Sequence, residues 1–342
     1  MKTPFWKTTW FRVMIGTLIS IAFLLLALKD VPLDEVGQAL ARVNYLWVAL
    51  GVITMLAQSW LRALRWIQLY FPMQKGLRIF QMLGIVLISQ MLNIVVPWRV
   101  GEIARIYLAS EVEKRSPAQT LATLAVEKFL DVLMMLTLVL TIPLFMTLPS
   151  WLEQPREGIV VSAIGLFLVT LILLLSEDWL VNLLTRIPLP WGRRIVSENA
   201  RIALGALAVF RRWDLHVALQ LLSVGIWLLG VVVNYLVLLA MDLRLPPISA
   251  FLLLAVLQVG GLVPSSPGKV GVFQILCIWT LALFAVDKSV GLTYGILLYL
   301  IAYGTPIILG ILSLWWGGVN LRAIAAEPNV PNIPKLPNAP KG

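Results

Sequence analysis

The sequence predicts an all-α integral membrane protein, a polytopic bundle of apolar helices. Of its 342 residues, 60% are hydrophobic and only 13% are charged, whereas a soluble domain is about 25% charged. The apolar residues occur in runs long enough to cross a bilayer, for which about 20 residues are needed. The formal net charge is +10, which in such a protein indicates basic cytoplasmic loops rather than a nucleic-acid partner.

Residues that are scarce exclude several classes of site. Cys277 is the only cysteine and His216 the only histidine, so neither an intrachain disulfide nor a zinc site built from His and Cys can form. The only Gly-Lys pair, Gly268-Lys269, is followed by Val270, so the chain has no P-loop for ATP. The sequence therefore predicts no metal, no cofactor and no catalytic residues.

The membrane spans follow from the apolar runs. The first run, 11–28, is interpreted as a retained span because no small-residue cleavage site follows it. Further apolar segments are predicted at 44–62, 79–96, 117–145, 157–175, 215–240, 248–264, 270–286 and 289–315, with a short amphipathic piece at 100–111. These segments form one transmembrane domain, 1–317. The Pro-rich tail, 318–342, is predicted to be a disordered or extended cytoplasmic end.

Charge bias predicts the orientation, with both termini in the cytoplasm. If the Pro-broken segments near 97 and 267 return to the side from which they enter, 20 of the 27 basic residues face the cytoplasm and 5 face outward. If those segments crossed fully, the six arginines of 176–214 would lie outside. The expected location is the plasma (inner) membrane of a bacterium-like cell.

An internal repeat is indicated by a shared motif. The pattern P-x-[RK]-V-G occurs as Pro97-Trp98-Arg99-Val100-Gly101 and, 170 residues later, as Pro267-Gly268-Lys269-Val270-Gly271. Each copy follows an apolar arm and precedes a short helical piece and a long span. We predict two inverted-topology repeats, about 44–145 and 215–316, each containing a Pro/Gly-broken re-entrant hairpin. The alternative is that both motifs are turns between ordinary spans.

Such hairpins would carry positive charge into the membrane centre. Non-helical backbone at this depth must be buried in protein or line a cavity. Each hairpin would point a helix N-terminus inward, where its free N–H groups favour anions. Arg99 and Lys269 would add full charges, which suits a phosphate. The alternative for Lys269 is that its side chain reaches back to the outer surface.

Charged residues inside apolar segments are functional candidates by default. Glu127, Lys128 and Asp131 lie within the apolar run that starts near 117, and Glu102 and Arg105 lie on the short helix after Gly101. The spacing of Glu127 and Asp131 places them on one helix face. We predict a buried network that pairs Arg99 or Arg105 with Glu127 or Asp131. The alternative is that these charges lie among lipid headgroups at the interface.

Three motifs resemble those of the flippase-like, lysylphosphatidylglycerol synthase transmembrane-region family. The segment 93–105 resembles its N-x-x-x-P-x-R-x-G-E-x-x-R pattern, and 127–131 resembles its E-[RK]-x-x-D element. The segment 264–274 resembles P-x-x-P-G-x-x-G-x-[FW]-E, except that Gln274 replaces the acidic residue that is common there. The resemblance covers roughly 12–320.

The resemblance implies a membrane domain that moves lipids between leaflets and that lacks the soluble aminoacyl-transfer domain of two-part members. The expected partners are membrane lipids, either an anionic or zwitterionic phospholipid or a polyprenyl-phosphate lipid, and a separate lipid-synthesising enzyme. The predicted headgroup-binding residues, on the residue and motif evidence together, are Arg99, Gly101, Glu102, Arg105, Glu127, Asp131, Pro267, Gly268, Lys269 and Gly271. Two other functions stay open, a membrane-embedded transferase acting on a lipid-linked substrate and a small-solute or ion transporter.

Overall fold

Helices joined by short turns make up the described part of the protein. A computed structural model describes residues 9–29, 31–96, 100–145, 164, 212–261 and 266–316, and no strand occurs among them. The helices that position the site are α1 (Thr9–Leu28), α2 (Leu33–Ala41), α3 (Tyr45–Gln68), α4 (Ile79–Val95), α5 (Val100–Glu113), α6 (Pro117–Phe145), α7 (Trp213–Ala240), α8 (Ile248–Gly260), α9 (Val272–Ala282), α10 (Lys288–Tyr299) and α11 (Thr305–Trp316).

Helix length separates spans from shorter arms. Among the described residues, three helical segments are long and apolar enough to cross a membrane: α3, α7 and the continuous stretch Lys288–Trp315. The 17 residues of α4 and the 13 of α8 extend only about 26 and 20 Å at 1.5 Å per residue. Both lengths are below the roughly 30 Å of the hydrocarbon core. The all-helical prediction is confirmed for this part of the chain.

Helices α3 and α7 form an antiparallel pair with the most extensive helix–helix contact in the described part of the chain. The backbone N–H of Asn44, just before α3, donates to the carbonyl of Ala240 at the end of α7 over 2.8 Å. Further along, Gln58 Nε2 donates to the Ile226 carbonyl over 2.7 Å. Because a buried amide without a partner would cost free energy, these contacts fix the register of the two helices.

Helices α4 and α5 pack against each other as the two arms of a hairpin. Gly101 makes their close approach possible, since a Cβ there would overlap the Ser89 carbonyl oxygen and lie 2.7 Å from Asn93 Oδ1. The far ends of the arms also meet, because Arg115 Nη2 donates to the Lys75 carbonyl over 2.9 Å. The loop before α4 and the loop after α5 therefore lie at the same end of the hairpin.

The second motif connects α8 and α9 through a short 3₁₀ turn, Pro267–Lys269. Gly271, with φ of 85°, ends this connection in a conformation that residues with a side chain rarely adopt. Its missing side chain lets the turn approach α1, where a Cβ would lie 2.6 Å from the Leu24 backbone nitrogen. Gln274 Oε1 accepts a hydrogen bond from the Gly271 N–H over 2.7 Å.

The last span changes its helical type halfway along. A π-helical turn, Leu300–Gly304, joins α10 to α11, and such turns interrupt α-helices mostly as single insertions. Tyr299, the last residue of α10, stacks on Tyr303 of this turn with ring centroids 4.5 Å apart, and Phe273 of α9 meets both rings edge-on. Helix α10 packs mainly on α9, whereas α11 packs on α4. The span thus joins two groups of helices.

Several predictions lie outside the described residues. These are the Pro97-Trp98-Arg99 turn, the predicted span 157–175, the arginine-rich segment up to 211 and the tail 318–342. The predicted amphipathic piece at 100–111 is confirmed as α5. Helix α3 runs to Gln68, six residues beyond the predicted end of its span.

Candidate functional site

Five charged side chains from three helices form an ion-pair network. Its members are Arg62 and Arg65 of α3, Arg105 of α5, and Glu127 and Asp131 of α6. The two carboxylates are one helical turn apart on α6, and the two α3 arginines are three residues apart, so each pair presents one face to the other helix. Below, these five residues are called the ion-pair network.

Arg105 and Glu127 make the most enclosed contact of the network. Arg105 Nη1 donates to Glu127 Oε1 over 3.0 Å, and its Nη2 lies 2.9 Å from Oε2. Only 6% of the Arg105 side chain and 4% of the Glu127 side chain are exposed. The first contact is a hydrogen bond and the second a close ion-pair contact, and hydrogen bonds between charged groups are the stronger ones in proteins. The predicted pairing of Arg105 with Glu127 is therefore present, and it is buried.

Arg65 links the network to both halves of the chain. Its Nη2 donates to Asp131 Oδ1 over 2.8 Å and lies 3.9 Å from Glu127 Oε1. Its Nη1 donates to Ser223 Oγ of α7 over 3.1 Å, and the side chain is fully buried. A charge at this depth is costly unless it is paired and hydrogen-bonded. Arg65 thus holds α3, α6 and α7 together at one point.

Trp66 forms an apolar wall beside the ion pairs. The Arg105 guanidinium lies 3.9 Å from the centroid of the Trp66 ring, a distance at which the ring face attracts a cation. The indole Nε1 donates to Thr123 Oγ1 of α6 over 3.1 Å. One turn further, the hydroxyls of Tyr70 and Thr120 lie 2.8 Å apart in a hydrogen bond. These contacts fix α3 against α6 along the network.

The outer pair of predicted residues, Glu102 and Lys128, lies apart from the enclosed contacts. Lys128 Nζ is 3.2 Å from Glu102 Oε1, and the side chains are 44% and 31% exposed. The structure therefore divides the predicted charges in two. Glu127 and Arg105 are buried, as the network interpretation predicts, whereas Glu102 and Lys128 are partly exposed.

Residues of the second motif lie against the first hairpin but not in the ion-pair network. The turn Pro267–Lys269 contacts α4, and a Cβ on Gly268 would be 4.0 Å from the Ile94 carbonyl and 2.7 Å from the Tyr299 hydroxyl. Lys269 Nζ donates to the carbonyl of Gly261 over 2.7 Å, so its ammonium lies at the C-terminal end of α8. A cation is favourable at that end of a helix.

Sequence reasoning missed Arg62, Arg65, Trp66 and Ser223. The predicted span ends at residue 62, because an apolar run ends at its first charge, so both arginines fall among the basic residues counted on the cytoplasmic side. The signal that could have found them is helical spacing, since Arg65 follows Arg62 by three residues with Ala63 and Leu64 between them. Ser223 carries no such signal in the sequence. Among the described residues, no group of three His, Cys, Asp or Glu is placed to hold a metal.

Comparison with known proteins adds one match. Residues 13–310 match the family model described as "Lysylphosphatidylglycerol synthase TM region", which covers well over half of the 342 residues. All three motifs discussed above, including both segments with the P-x-[RK]-V-G pattern, fall within the matched range. No curated protein and no solved structure matches the chain.

Proposed function

The chain belongs to the lysylphosphatidylglycerol synthase transmembrane-region family and is an integral membrane protein, and from this premise we propose that it moves lipids between membrane leaflets. Its substrate would be a phospholipid or a lipid-linked phosphate. The headgroup would pass through the protein beside the ion-pair network, while the acyl chains stay in the bilayer. The site residues predicted from the sequence, including Arg105, Glu127 and Asp131, would line this route.

The buried ion-pair network is the observation that carries the proposal. Ionisable side chains within apolar spans are rare and mark substrate or ion pathways in membrane proteins. Asp131 is 14 residues from either end of α6, which places it about 21 Å along the helix from each end. Its partners Arg62 and Arg65 lie six and three residues before the end of α3 at Gln68, so the network joins the middle of α6 to the last two turns of α3. A polar headgroup crossing the membrane needs such groups along its route.

We also propose that the two halves are inverted repeats, and the helix bounds support this. Shifting α6 by the 170-residue offset of the two motifs gives 287–315, and the observed span is Lys288–Trp315. The same shift takes α3 to 215–238, within α7, and takes α5 to 270–283, which encloses α9. Transporters built from inverted repeats have their substrate site where the repeats meet.

Helix packing follows the same correspondence. Helix α3 packs on α4 as α7 packs on α8, and α4 packs on α5 as α8 packs on α9. The pairs across the halves correspond as well, because α4 contacts α11 and α8 contacts α6. In this arrangement the two P-x-[RK]-V-G turns would approach each other from opposite sides. The contact of Gly268 with the end of α4 agrees with that geometry.

Cysteine labelling tests the proposed topology. In a Cys277→Ala background, Lys75→Cys and Glu111→Cys should react with a membrane-impermeant maleimide only from the cytoplasmic side, because they bracket the first hairpin. Arg244→Cys, after α7, should react only from outside. Labelling would be measured in right-side-out and inverted vesicles. Opposite sidedness of Lys75→Cys and Glu111→Cys would mean that α4 and α5 together cross the membrane once instead of returning to the side from which they enter, which contradicts the proposal.

Leaflet exchange in liposomes tests the function itself. The purified protein would be reconstituted with a small amount of headgroup-labelled phospholipid, and an impermeant reductant would quench the label in the outer leaflet. If the protein exchanges lipid, label from the inner leaflet reaches the outer leaflet and is quenched as well. In protein-free vesicles the inner-leaflet label stays protected from the reductant. Uptake of a water-soluble solute without lipid exchange would instead favour the small-solute transporter.

A further inference from the structure

The ion-pair network has an unequal number of positive and negative groups. Arg62, Arg65 and Arg105 face two carboxylates, Glu127 and Asp131. The neighbouring Lys128 and Glu102 pair with each other and leave this balance unchanged. Among the residues that the structure describes, the network therefore carries one positive charge in excess. Because an uncompensated charge is costly in a low-dielectric setting, an anionic ligand would be stabilised there.

The excess charge is concentrated on Arg62. Arg65 is held by Asp131 at 2.8 Å and by Ser223, and Arg105 is held by Glu127 through both of its terminal nitrogens. Arg62 Nη1 reaches Asp131 Oδ2 only at 3.9 Å, beyond hydrogen-bond distance. Its side chain is 24% exposed, against 0% for Arg65. Arg62 is thus the least compensated and the most accessible of the three arginines.

Unused donors indicate what the ligand carries. The Nε groups of Arg65 and Arg105 are buried and have no hydrogen-bond acceptor among the described residues. The fork of Arg62, which is 3.9 Å from Asp131 Oδ2, offers paired donors to an anion with more than one acceptor oxygen. Guanidinium groups match phosphate in this way, binding it through two parallel hydrogen bonds. In a bilayer, phosphate is the anionic group that phospholipid headgroups share.

We propose that Arg62 is the residue that binds the phosphate of the lipid headgroup, and this inference rests on the proposed function. The phosphate takes the place of Asp131 at Arg62, while Asp131 remains with Arg65. The pairs Arg65–Asp131 and Arg105–Glu127 hold those two arginines in place, so that they remain paired when the phosphate binds Arg62. Arg62 is therefore a binding residue, whereas Arg65 and Glu127 are positioning residues.

Ligand-induced thermal stabilisation in detergent tests this assignment, since a ligand that binds only the folded state raises the Tm. The probes are short-chain phosphatidylglycerol, short-chain diacylglycerol as the phosphate-free analogue, and inorganic phosphate. For the wild type we expect stabilisation by the phosphatidylglycerol but not by the diacylglycerol. Arg62→Gln should weaken apparent binding of phosphatidylglycerol at least about tenfold, the size of a lost charge-assisted hydrogen bond. Arg62→Lys, which keeps the charge without the fork, should fall between.

The matched control is Lys75→Gln, which removes one exposed positive charge outside the network and should leave binding unchanged. Folding gives a second readout, because Arg62→Gln removes an excess charge and should keep the ligand-free Tm at or above that of the wild type. Arg65→Gln should lower the Tm. Undiminished phosphatidylglycerol binding by folded Arg62→Gln would overturn the inference, as would a ligand-free Tm that falls as far as that of Arg65→Gln.

The other measurements distinguish lipid phosphate from free phosphate, and they distinguish failure of the Arg62 assignment from failure of the proposed lipid transport. Competition by inorganic phosphate supports a phosphate subsite that the lipid shares, whereas stabilisation by inorganic phosphate alone overturns the lipid assignment. Failure of the proposed function is distinguishable. If phosphatidylglycerol binding depends on Arg62 but no leaflet exchange occurs, lipid transport is wrong and the binding site stands. If Arg62→Gln exchanges lipid like the wild type, the role of Arg62 is wrong and transport stands.

Discussion

Replacing Glu127 by glutamine is expected to lower the free energy of unfolding by about 3–5 kcal/mol, the usual result of breaking a buried ion pair. The reason is that Arg105, which Glu127 contacts at 2.9 and 3.0 Å, would remain buried with its charge unpaired. Arg65, 3.9 Å from the same carboxylate, would lose part of its compensation as well. The measurement is reversible unfolding in mixed micelles, followed by circular dichroism.

Glu102→Gln is the matched control, because it makes the same chemical change in the neighbouring, more exposed pair with Lys128. Exposed pairs contribute about 0–1 kcal/mol, so this variant should unfold almost like the wild type. A second check is the double variant Glu127→Gln with Arg105→Gln. It should recover part of the loss, since the uncompensated charge on Arg105 is removed with its partner. Equal losses for Glu127→Gln and Glu102→Gln would contradict the account.

Substituting Gly101 by alanine should be about as damaging, with a loss of roughly 2–3 kcal/mol or more. The added methyl group would overlap the Ser89 carbonyl oxygen and lie 2.7 Å from Asn93 Oδ1. Backbone atoms of α4 cannot rotate away as a flexible side chain does, so α4 and α5 would have to separate. The expected result is a lower Tm and less folded protein after purification.

Gly304→Ala is the control for this substitution. Gly304 lies in the π-helical turn of the last span, and a Cβ there would meet no atom within 4 Å. Its effect should be small, or slightly stabilising, because alanine lowers the conformational entropy of the unfolded chain. If Gly101→Ala melts at the wild-type temperature, the close approach of α4 and α5 at Ser89 is wrong.

The shared P-x-[RK]-V-G motif shows how far the sequence predicts the structure. Both of its shared glycines allow a close approach, Gly101 to α4 and Gly271 to α1. Hydropathy locates the spans because each apolar residue of a run of about 20 favours the bilayer, whatever its contacts with other helices. Local spacing also places Glu127 and Asp131 on one face, so three of the five members of the ion-pair network, Arg105, Glu127 and Asp131, could be predicted without coordinates.

The other two members, Arg62 and Arg65, depend on contacts that are distant in the chain. Arg65 forms an ion pair with Asp131, 66 residues away, and donates a hydrogen bond to Ser223, 158 residues away. A hydropathy pattern ends a span at the first charge, but a helix can continue wherever other helices supply partners for that charge. The same reason explains Lys269, whose partner is the Gly261 carbonyl at the end of the preceding helix. Such pairings are set by packing and cannot be read from spacing alone.

The central claim is that this protein moves lipid headgroups between leaflets, and leaflet exchange at increasing protein-to-vesicle ratio tests it most directly. The account predicts that the fraction of inner-leaflet label lost rises with the fraction of vesicles containing at least one protein. Phospholipids with a phosphate headgroup should exchange. If inner-leaflet label stays protected at every ratio and for every headgroup, while circular dichroism shows that the reconstituted protein is helical, the claim is contradicted.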